Sequence, residues 1–342
     1  MVAALLLYLP VVVVNGDPGR PPLPHSTEAV ATTFSASKAA AAMDHASLAW
    51  TRTRNCFACH TNVFYMRARP LIPGGDQSAI GELRTRLEFS AANWELIKPR
   101  ADYFVLSTAM ALSGHDAATT GKLHPMTRKA LDWSLNLQRE DGSWKWPKCD
   151  WPPLEHDDWY GVVFMAIAYG TAPENYVKSE HVQPTLKKIR DYFKKNLPPD
   201  LHHKASLAWA SLKIDGLMTD DERKAVAKEL LARQRGDGGW CLPAIGDYPT
   251  RRDESPNDLD APSDGYATGY SVFILRKLGV KTDDPAIQKG VKWLKCNQRQ
   301  SGRWFTRSLQ TDRTNLNAHL ITNVGSVFCV LALHACGEPL KD

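Results

Sequence analysis

The most constraining feature of this 342-residue chain is a short pattern, Gln-x-x-x-Gly-x-Trp, that occurs three times. Each copy follows an amphipathic stretch, which predicts a helix that ends at the pattern. Repetition of one supersecondary unit is typical of helical arrays, in which neighbouring units bury a core that no single unit can bury alone. Any active site is therefore expected in the space that the repeats enclose. The three copies are Gln138–Gly142–Trp144, Gln234–Gly238–Trp240 and Gln298–Gly302–Trp304.

The three residue types of the pattern suit the end of a helix. Glycine supplies the left-handed turn that stops a helix, and the glutamine amide can satisfy free backbone groups there. Tryptophan packs over the junction and brings one polar N–H with it. We therefore predict a structural role for these residues.

Helical patterns come in pairs along the chain, and strand patterns are nearly absent. Apolar helices rich in small residues are predicted to form an inner ring and start near Cys56, Ala101, Asp157, His202, Asp264 and Ala318. More amphipathic helices are predicted between them at 38–50, 77–92, 125–138, 180–195, 220–234 and 284–298. Six of each predict an all-α fold, an α/α toroid or barrel of about six helical hairpins, formed as a single domain by residues 36–342.

Composition and charge set limits on the class of protein. With 43% hydrophobic and 23% charged residues, the chain can bury a large core. The net charge of +5 is spread over Lys and Arg that alternate with Asp and Glu on predicted helix faces, which is typical of a solvated surface. No nucleic-acid signature is present, so nucleic acid is not an expected partner.

The first 35 residues are predicted to lie outside the toroid. Residues 2–14 are apolar but too few to span a bilayer. This pattern predicts that residues 1–15 are a signal peptide, although the basic residues that usually begin one are missing. Residues 16–35 are rich in Pro, Gly, Ser and Thr and predict a linker. The mature chain is then expected to be exported, to a bacterial periplasm, with no transmembrane span.

A Cys-x-x-Cys-His pattern at Cys56, Cys59 and His60 is the one that fixes a c-type haem. Two thioether bonds would hold one covalent haem c, and His60 would be the axial ligand of the metal. A chance match, a metal-binding pair or a disulfide are the alternatives. The distal ligand is not identifiable, and candidates by distance in sequence alone are Met110, His115 and His124.

The three repeated segments resemble the QW motif of the squalene-hopene cyclase and prenyltransferase superfamily of α/α toroids. The copy from Lys289 to Trp304 fits that motif at every key position, and the resemblance extends from about residue 77 to the end of the chain. It implies the toroid fold and an enclosed apolar pocket for a terpenoid or a comparable small molecule.

Three features depart from those families. The cyclases start their reaction with a D-x-D-D acid motif, whereas the nearest string here, Asp258-Leu259-Asp260-Ala261, lacks the last Asp. The protein prenyltransferases bind zinc through a D-x-C motif that this chain lacks. A haem motif belongs to neither family. The resemblance therefore predicts the fold more strongly than the activity.

Acidic residues precede the predicted inner helices, which would collect them at one rim. Asp157 and Asp158 predict either a general acid, since adjacent carboxylates raise each other's pKa, or helix capping. Asp260 stands where the cyclases have their proton donor. Asp264 belongs to the same truncated motif and also suits a turn and N-cap.

Aromatic residues and histidines follow at the same rim. Tyr266 and Tyr270 share one predicted helix face, where their rings would stabilise a carbocation, hold an apolar ligand or fill the core. His319 is a further candidate for the cavity. His202 and His203 predict a solvated loop in preference to a metal or haem ligand.

Together these features predict an exported, squalene-cyclase-like toroid with one covalent haem c that acts as an enzyme on an apolar, terpenoid-type ligand. The reaction would be either a haem-dependent oxidation or reduction, or an acid-catalysed cyclisation. One alternative is a periplasmic c-type cytochrome whose toroid is only a scaffold for electron transfer to a redox partner protein. The other is a haem-free module that binds a lipid or terpenoid.

Overall fold

The computed structural model describes residues 19, 21–54, 60–94, 101–148, 153–154, 157–246, 257–309 and 319–342. Apart from one isolated bridge, the regular structure of these residues is helical. The α-helices are α1 (Ala36–Arg54), α2 (His60–Ala68), α3 (Ser78–Ala92), α4 (Ala101–Ala118), α5 (Pro125–Asn136), α6 (Asp158–Thr171), α7 (Gln183–Lys195), α8 (Leu201–Ser211), α9 (Asp220–Ala232), α10 (Leu242–Ile245), α11 (Gly265–Lys277), α12 (Pro285–Cys296) and α13 (His319–Ala335).

Six apolar helices form a closed inner ring. In ring order they are α2, α4, α6, α8, α11 and α13. Each packs against the next, and α13 packs against α2. The helices α1, α3, α5, α7, α9 and α12 pack around the outside. The structure thus confirms the predicted all-α toroid.

The starts of the inner helices agree with the sequence. Five of the six begin within one residue of the predicted position, because an N-capping residue or a polar loop precedes each small-residue-rich apolar run. Close packing explains the small residues: a Cβ on Gly269 of α11 would lie 2.5 Å from the backbone nitrogen of Cys329 in α13. Glycine there lets the two inner helices touch backbone to backbone.

All inner helices run in the same direction. Asp157, which precedes α6, contacts His203 in the first turn of α8. At the other end Arg67, near the end of α2, contacts Thr171, the last residue of α6. We name the end that holds the first turns of the inner helices the N-terminal rim, and the end that holds their last turns the C-terminal rim.

Each Gln–Gly–Trp segment joins the end of one outer helix to the start of another. The side-chain amide of Gln138 donates to the carbonyl of its own segment's glycine at 3.1 Å and to Thr185 O in α7 at 3.3 Å. Gln234 repeats both bonds, to its own glycine at 2.9 Å and to Ala286 O in α12 at 2.8 Å. The glutamine therefore ties successive outer helices together.

The tryptophans and glycines of the segments also repeat one geometry. The indole nitrogens of Trp144, Trp240 and Trp304 each donate, at 2.7–2.8 Å, to a carbonyl ten residues earlier in the preceding outer helix. The three glycines have φ between +87° and +91°. A Cβ on Gly238 would also lie 2.9 Å from Lys289 O, so both conformation and space require glycine.

The third segment closes the ring of outer helices. Gln298 is fully buried. Its amide donates to Ser35 O at 2.9 Å, and its oxygen accepts from Ser35 N at 2.8 Å, immediately before α1. Gly302 lies against Lys38 O in the first turn of α1. This segment therefore joins the last outer helix to the first.

Residues 21–35, which belong to the segment predicted as a linker, pack against this closure. Val30 pairs with Arg299 in an isolated antiparallel bridge. The guanidinium of Arg303 donates to Pro22 O at 2.8 Å. A composition rich in Pro and Ser predicts the lack of regular structure, but it carries no information about the surface that the segment covers.

The predicted signal peptide, residues 1–15, lies outside the described residues. Among the helices that the structure describes, none has both the length and the apolar character needed to cross a membrane.

We predict that Gln298→Ala lowers the free energy of unfolding by about 2 kcal/mol or more, because it leaves the buried Gly302 carbonyl and both half-buried backbone groups of Ser35 without their partner. Urea unfolding followed by circular dichroism measures the change. Gln288→Ala is the matched control, since Gln288 is exposed on α12, the helix that precedes Gln298, and donates one bond, to Thr282 O. It should change stability by less than about 0.5 kcal/mol. Equal effects of the two variants would contradict the closing role of Gln298.

Candidate functional site

Aromatic side chains close the lumen of the toroid at mid height. Phe64 of α2 lies 6.5 Å, centroid to centroid, from Trp209 of α8 on the opposite side of the ring. Phe328 lies 5.0 Å from Phe64, and Phe273 lies 5.0 Å from Trp209. Phe164 completes this set, 5.5 Å from Phe64. We call these five rings the aromatic layer. They lie between the end of the lumen at the N-terminal rim, which we call the N-terminal mouth, and the end at the C-terminal rim, which we call the C-terminal mouth.

A chain of buried hydrogen bonds crosses the N-terminal rim above the aromatic layer. The hydroxyl of Tyr160, in α6, lies 2.6 Å from Nδ1 of His202 in α8. Nε2 of the same imidazole lies 2.9 Å from the hydroxyl of Tyr266 in α11. All three side chains are fully buried. One histidine therefore connects tyrosines from its two neighbouring inner helices.

The chain continues from Tyr160 to carboxylates at the rim. The Tyr160 hydroxyl lies 3.3 Å from Nδ1 of His203. That nitrogen lies 2.7 Å from Asp200 Oδ1, and Nε2 lies 3.2 Å from Asp157 Oδ2. The Asp157 side chain is 33% exposed, whereas that of His203 is 2% exposed. We call Asp157, Asp200, His203, Tyr160, His202 and Tyr266 the rim network; it leads from solvent to the lumen.

Helix N-caps place the members of this network. The Asp157 carboxylate accepts from Tyr160 N at 3.1 Å, and the Asp200 carboxylate accepts from His203 N at 2.9 Å. Each cap therefore begins a helix whose third residue, Tyr160 or His203, has its side chain buried in the protein. The same spacing caps α11, where Asp264 accepts from Ala267 N. The capping interpretation of Asp157 and Asp264 agrees with this geometry.

The predicted solvated loop at His202 and His203 is wrong. Both residues lie in the first turn of α8, and their exposures are 0% and 1%. The Asp200 cap begins the helix before them, which brings both imidazoles between neighbouring inner helices. Sequence reasoning misses Asp200 itself. The signal that identifies it is its position three residues before His203, the same spacing as Asp157 to Tyr160.

The pKa values of the adjacent histidines shift in opposite directions. Burial lowers the pKa of His202 to about 3, so its imidazole is neutral. Burial also acts to lower the pKa of His203, but the hydrogen bonds and charges of Asp157 and Asp200 outweigh it and raise that pKa. Although burial opposes it, the same pairing lowers the pKa of Asp200. The rim network therefore contains a neutral imidazole beside one whose charged form is favoured by two carboxylates.

In its neutral state, His202 has one nitrogen that donates and one that accepts, and its tautomer decides which is which. In one tautomer Nδ1 accepts from the Tyr160 hydroxyl and Nε2–H donates to the Tyr266 oxygen; in the other both directions are reversed. Burial raises the pKa of Tyr266 well above its usual value, which keeps its hydroxyl proton in place. Tyr266 lies 5.4 Å, ring to ring, from Phe328 of the aromatic layer. The network therefore ends in a hydroxyl on the lumen side.

Tyr270 supports the network from the next turn of α11. Its ring stacks on Tyr266 with an interplanar angle of 9° and on His202 at 19°. Its hydroxyl donates to the His202 carbonyl at 3.2 Å and lies 2.6 Å from Ser206 Oγ. The structure thus places Tyr270 in the core, where it fixes the orientation of the His202 imidazole.

Asp264 is the most perturbed carboxyl among the candidates. It is fully enclosed beneath the second Gln–Gly–Trp segment and accepts from Leu242 N at 2.6 Å. Burial raises its pKa to about 6, against the hydrogen bonds from Ala267 and Leu242 that lower it. Its oxygens are committed to backbone N–H groups of two chain segments, which is a structural arrangement.

The other carboxylates and His319 lie apart from these contacts. Asp158 pairs with Arg139 at 3.3 Å and accepts from Trp146 N. Asp260 is exposed in a turn. His319 begins α13 and is buried, with Nδ1 3.3 Å from the Arg303 guanidinium. Of the site residues predicted from the sequence, Asp157, Tyr266 and Tyr270 therefore lie together, whereas Asp158 and Asp260 lie at the surface.

The haem motif falls almost wholly outside the described residues. Cys56 and Cys59 are not described, and for His60 only the backbone is, as the first residue of α2. Helix α2 thus begins at the N-terminal rim with His60, the residue that follows Cys59 in the sequence. Two thiols and an imidazole within five residues are a donor set that fits a covalently held haem. Asn62, two residues after His60, is buried, and its Oδ1 has no hydrogen-bond partner among the described residues.

The distal candidates taken from distance in sequence lie elsewhere. Met110 lies mid-way along α4, and His115 lies in its last turn, where it contacts Arg84. His124 precedes the outer helix α5 and is half exposed. None of the three lies in the first turn of an inner helix, whereas α2 begins with His60 at the N-terminal rim. Among the described residues, no group of three or more His, Cys, Asp or Glu side chains is arranged to hold a metal ion.

Comparison with known proteins adds little to this geometry. No protein-family model matches the chain, and no curated protein matches it. Among solved structures, the chain is similar to ent-copalyl diphosphate synthase from Streptomyces platensis, with 15% sequence identity and a TM-score of 0.49. The similarity covers 80% of this chain and 50% of that one, so the chain spans half the length of that protein. A likeness this distant carries no argument about activity, and the toroid assignment rests on the closed ring itself.

We predict that replacing each of the two histidines by Gln changes the pH dependence of stability in opposite ways. His203 has a raised pKa, so its contribution is present below about pH 6.5 and is lost as pH rises through the folded-state pKa. His202 has a lowered pKa, so the wild type loses stability as pH falls from about 6.5 toward 3.

Urea unfolding between about pH 4 and pH 9 measures both effects. The His203→Gln variant should be most destabilised, relative to wild type, at the acid end, and the His202→Gln variant should show less acid destabilisation than wild type. Parallel curves for the two variants would show that the imidazoles titrate alike and would contradict this assignment.

Proposed function

We propose that this protein is a c-type haem oxidoreductase of the α/α-toroid class whose reaction takes place at the N-terminal mouth. The observation that carries the proposal is the rim network, a continuous set of hydrogen bonds that runs from Asp157 to Tyr266 at the same rim where α2 begins with His60. A scaffold needs no such buried path, whereas a redox reaction at this mouth needs a supply of protons.

The network can move a proton in defined steps. When the Tyr266 hydroxyl gives its proton to a reacting group in the mouth, Nε2–H of His202 replaces it. Nδ1 of His202 then takes the proton of the Tyr160 hydroxyl, which regains one from Nδ1–H of His203 at 3.3 Å. This leaves His203 with its proton on Nε2, facing the partly exposed Asp157, and a proton from solvent returns to Nδ1, beside Asp200, to complete the transfer. Both tyrosines and His203 then hold the protons they had at the start, and His202 holds the same number as its other tautomer.

The haem would be held by thioether bonds to Cys56 and Cys59 and by His60 as axial ligand. When bound, it would supply one-electron chemistry that no side chain of the chain offers. The aromatic layer would form the base of the mouth and exclude water from below. Export, with removal of residues 1–15, and a periplasmic setting belong to the same proposal because haem attachment of this type requires them.

The described lumen limits where an apolar ligand could bind. A terpenoid needs a pocket of several hundred Å³. The aromatic layer spans the ring, so a ligand of that size would have to lie above it, in the N-terminal mouth, and not along the axis. Acid-catalysed cyclisation receives less support, because Asp260, which stands at the donor position, is exposed.

Electron transfer to a redox partner protein is the second candidate. The filled mid-section of the lumen favours it, since a toroid that serves only as a scaffold is expected to be packed with its own side chains. The two candidates differ in the iron: an enzyme needs an open coordination position, whereas an electron carrier has both axial positions filled.

The visible spectrum of full-length protein, produced with the cytochrome c maturation machinery, tests the proposal. We predict a Soret band that survives denaturation, and a high-spin spectrum with an open coordination position. Cys56→Ala and Cys59→Ala together should abolish the covalent haem. Cys296→Ala, which removes an exposed thiol elsewhere, should keep it. The absence of a Soret band from the wild type would remove both haem functions, and a six-coordinate low-spin spectrum would favour electron transfer.

The proton path is tested by turnover of hydrogen peroxide with a reducing dye. Tyr266→Phe removes the terminal hydroxyl and keeps the ring; we expect kcat to fall by about tenfold or more with haem content unchanged. Tyr169→Phe is the matched control, because its buried hydroxyl lies 2.8 Å from Ser134 Oγ, away from the rim network. Similar turnover by wild type and Tyr266→Phe would show that the network does not deliver protons.

A further inference from the structure

The C-terminal mouth holds a small cavity on the far side of the aromatic layer. Its volume is about 20 Å³, room for about one water-sized group. Apolar side chains from four inner helices line most of it, among them Met110, Ile167 and Trp209. Its polar lining residues are Arg67, Thr171 and Ser113, and the Ser113 hydroxyl donates to Met110 O. A cavity of this kind has apolar walls and a polar opening.

The guanidinium of Arg67 is a half-buried cation at this opening. Its centre lies 5.1 Å from the centre of the Trp209 ring, and its Nη1 donates to Thr171 Oγ1 at 3.4 Å. Within the described part of the chain, no carboxylate lies within ion-pair distance of it. Burial lowers the pKa of Arg67 to about 10, which leaves it charged at neutral pH. Most of the five N–H donors of a guanidinium are therefore available to a ligand.

Further cations stand around the same opening. Lys277 ends α11, and its ammonium lies 5.3 Å from the Phe273 ring. Burial lowers the pKa of Lys277, and so do the nearby charges of Arg67, Lys213 and Arg276. His334, near the end of α13, has its pKa lowered by burial and by Lys277, so it adds no charge at neutral pH. Arg67 and Lys277 therefore make the opening positive.

Helix ends explain only part of this charge. The last carbonyls of a helix attract cations, and Arg276 serves that purpose by donating to Ala335 O at 3.1 Å and to Val280 O. Arg67 does not, because its hydrogen bond goes to a side-chain hydroxyl. Gly114 faces the stem of Arg67, where a Cβ would lie 3.3 Å from Arg67 Cβ. The side chain thus reaches the cavity edge without capping a helix.

We propose that the C-terminal mouth binds a small monocarboxylate, with its carboxylate paired to Arg67 and its short alkyl end in the cavity. A planar carboxylate matches the fork of guanidinium donors. The cavity volume limits the apolar part to one or two carbons, because the aromatic layer blocks a longer chain. Inorganic phosphate has no apolar group to fill the cavity. This site is separate from the N-terminal mouth and does not depend on haem.

Isothermal titration of the full-length protein, as purified, with acetate, propionate, hexanoate and inorganic phosphate tests the site. We expect propionate to bind at least about tenfold more tightly than phosphate or hexanoate, and Arg67→Met to weaken propionate by about tenfold or more. Arg128→Met is the control, because Arg128 also lies over an aromatic ring, that of Tyr176, but pairs with Glu174 outside the cavity. It should bind propionate like wild type.

Three results would overturn the proposal: no propionate binding by the wild type, equal binding of phosphate and propionate, or unchanged affinity of Arg67→Met. Circular dichroism checks that Arg67→Met folds. If it does not, Lys277→Met decides the question, since that side chain is exposed and removable. If Lys277→Met binds propionate roughly two- to threefold more weakly than wild type, the result supports the site, because a nearby charge has been lost. An unchanged affinity of Lys277→Met for propionate contradicts the site.

Discussion

Closure of the toroid brings the first and last hairpins together, and the buried amide of Gln298 lies at that junction. It joins residues 263 positions apart. The packing of α13 on α2 closes the inner ring at the same place and covers the apolar faces of both helices. Residues 21–35 cover the outside of the junction, so the first described residues of the chain help to hold the ring closed.

A closed ring of parallel inner helices creates two mouths of opposite chemistry. Helix N-termini carry partial positive charge and favour carboxylates, which accounts for Asp157, Asp200 and Asp264 at one rim. Helix C-termini favour cations and account for Arg276 at the other. His203 goes beyond this trend, because its charged form is favoured among helix N-termini by two carboxylates. Arg67, in the last turn of α2, follows the trend in its charge but donates its hydrogen bond to a side-chain hydroxyl and not to a helix carbonyl.

The sequence predicts the helices well and the contents of the lumen poorly. Small-residue runs and N-capping aspartates are local signals, so the inner helices were predicted to within one residue in five of six cases. The partners of His202 come from α6 and α11, and its bond to Tyr266 spans 64 residues, which no local pattern reveals. The contact of Phe64 with Trp209 across the ring depends likewise on closure. The catalytic roles predicted for Asp158, Asp260 and His319 remain predictions.

The pKa values of two adjacent buried histidines shift in opposite directions, because only one of them faces two carboxylates. A doubly protonated His202 would be unable to accept from Tyr160, so the proposed path would be interrupted at its centre; burial, by lowering the pKa to about 3, keeps the imidazole neutral. His203 is equally hidden, but Asp157 and Asp200 favour its charged form and raise its pKa. In the proposed path, a proton that leaves at Tyr266 is therefore replaced from the rim, where His203 contacts Asp157, and not from the lumen.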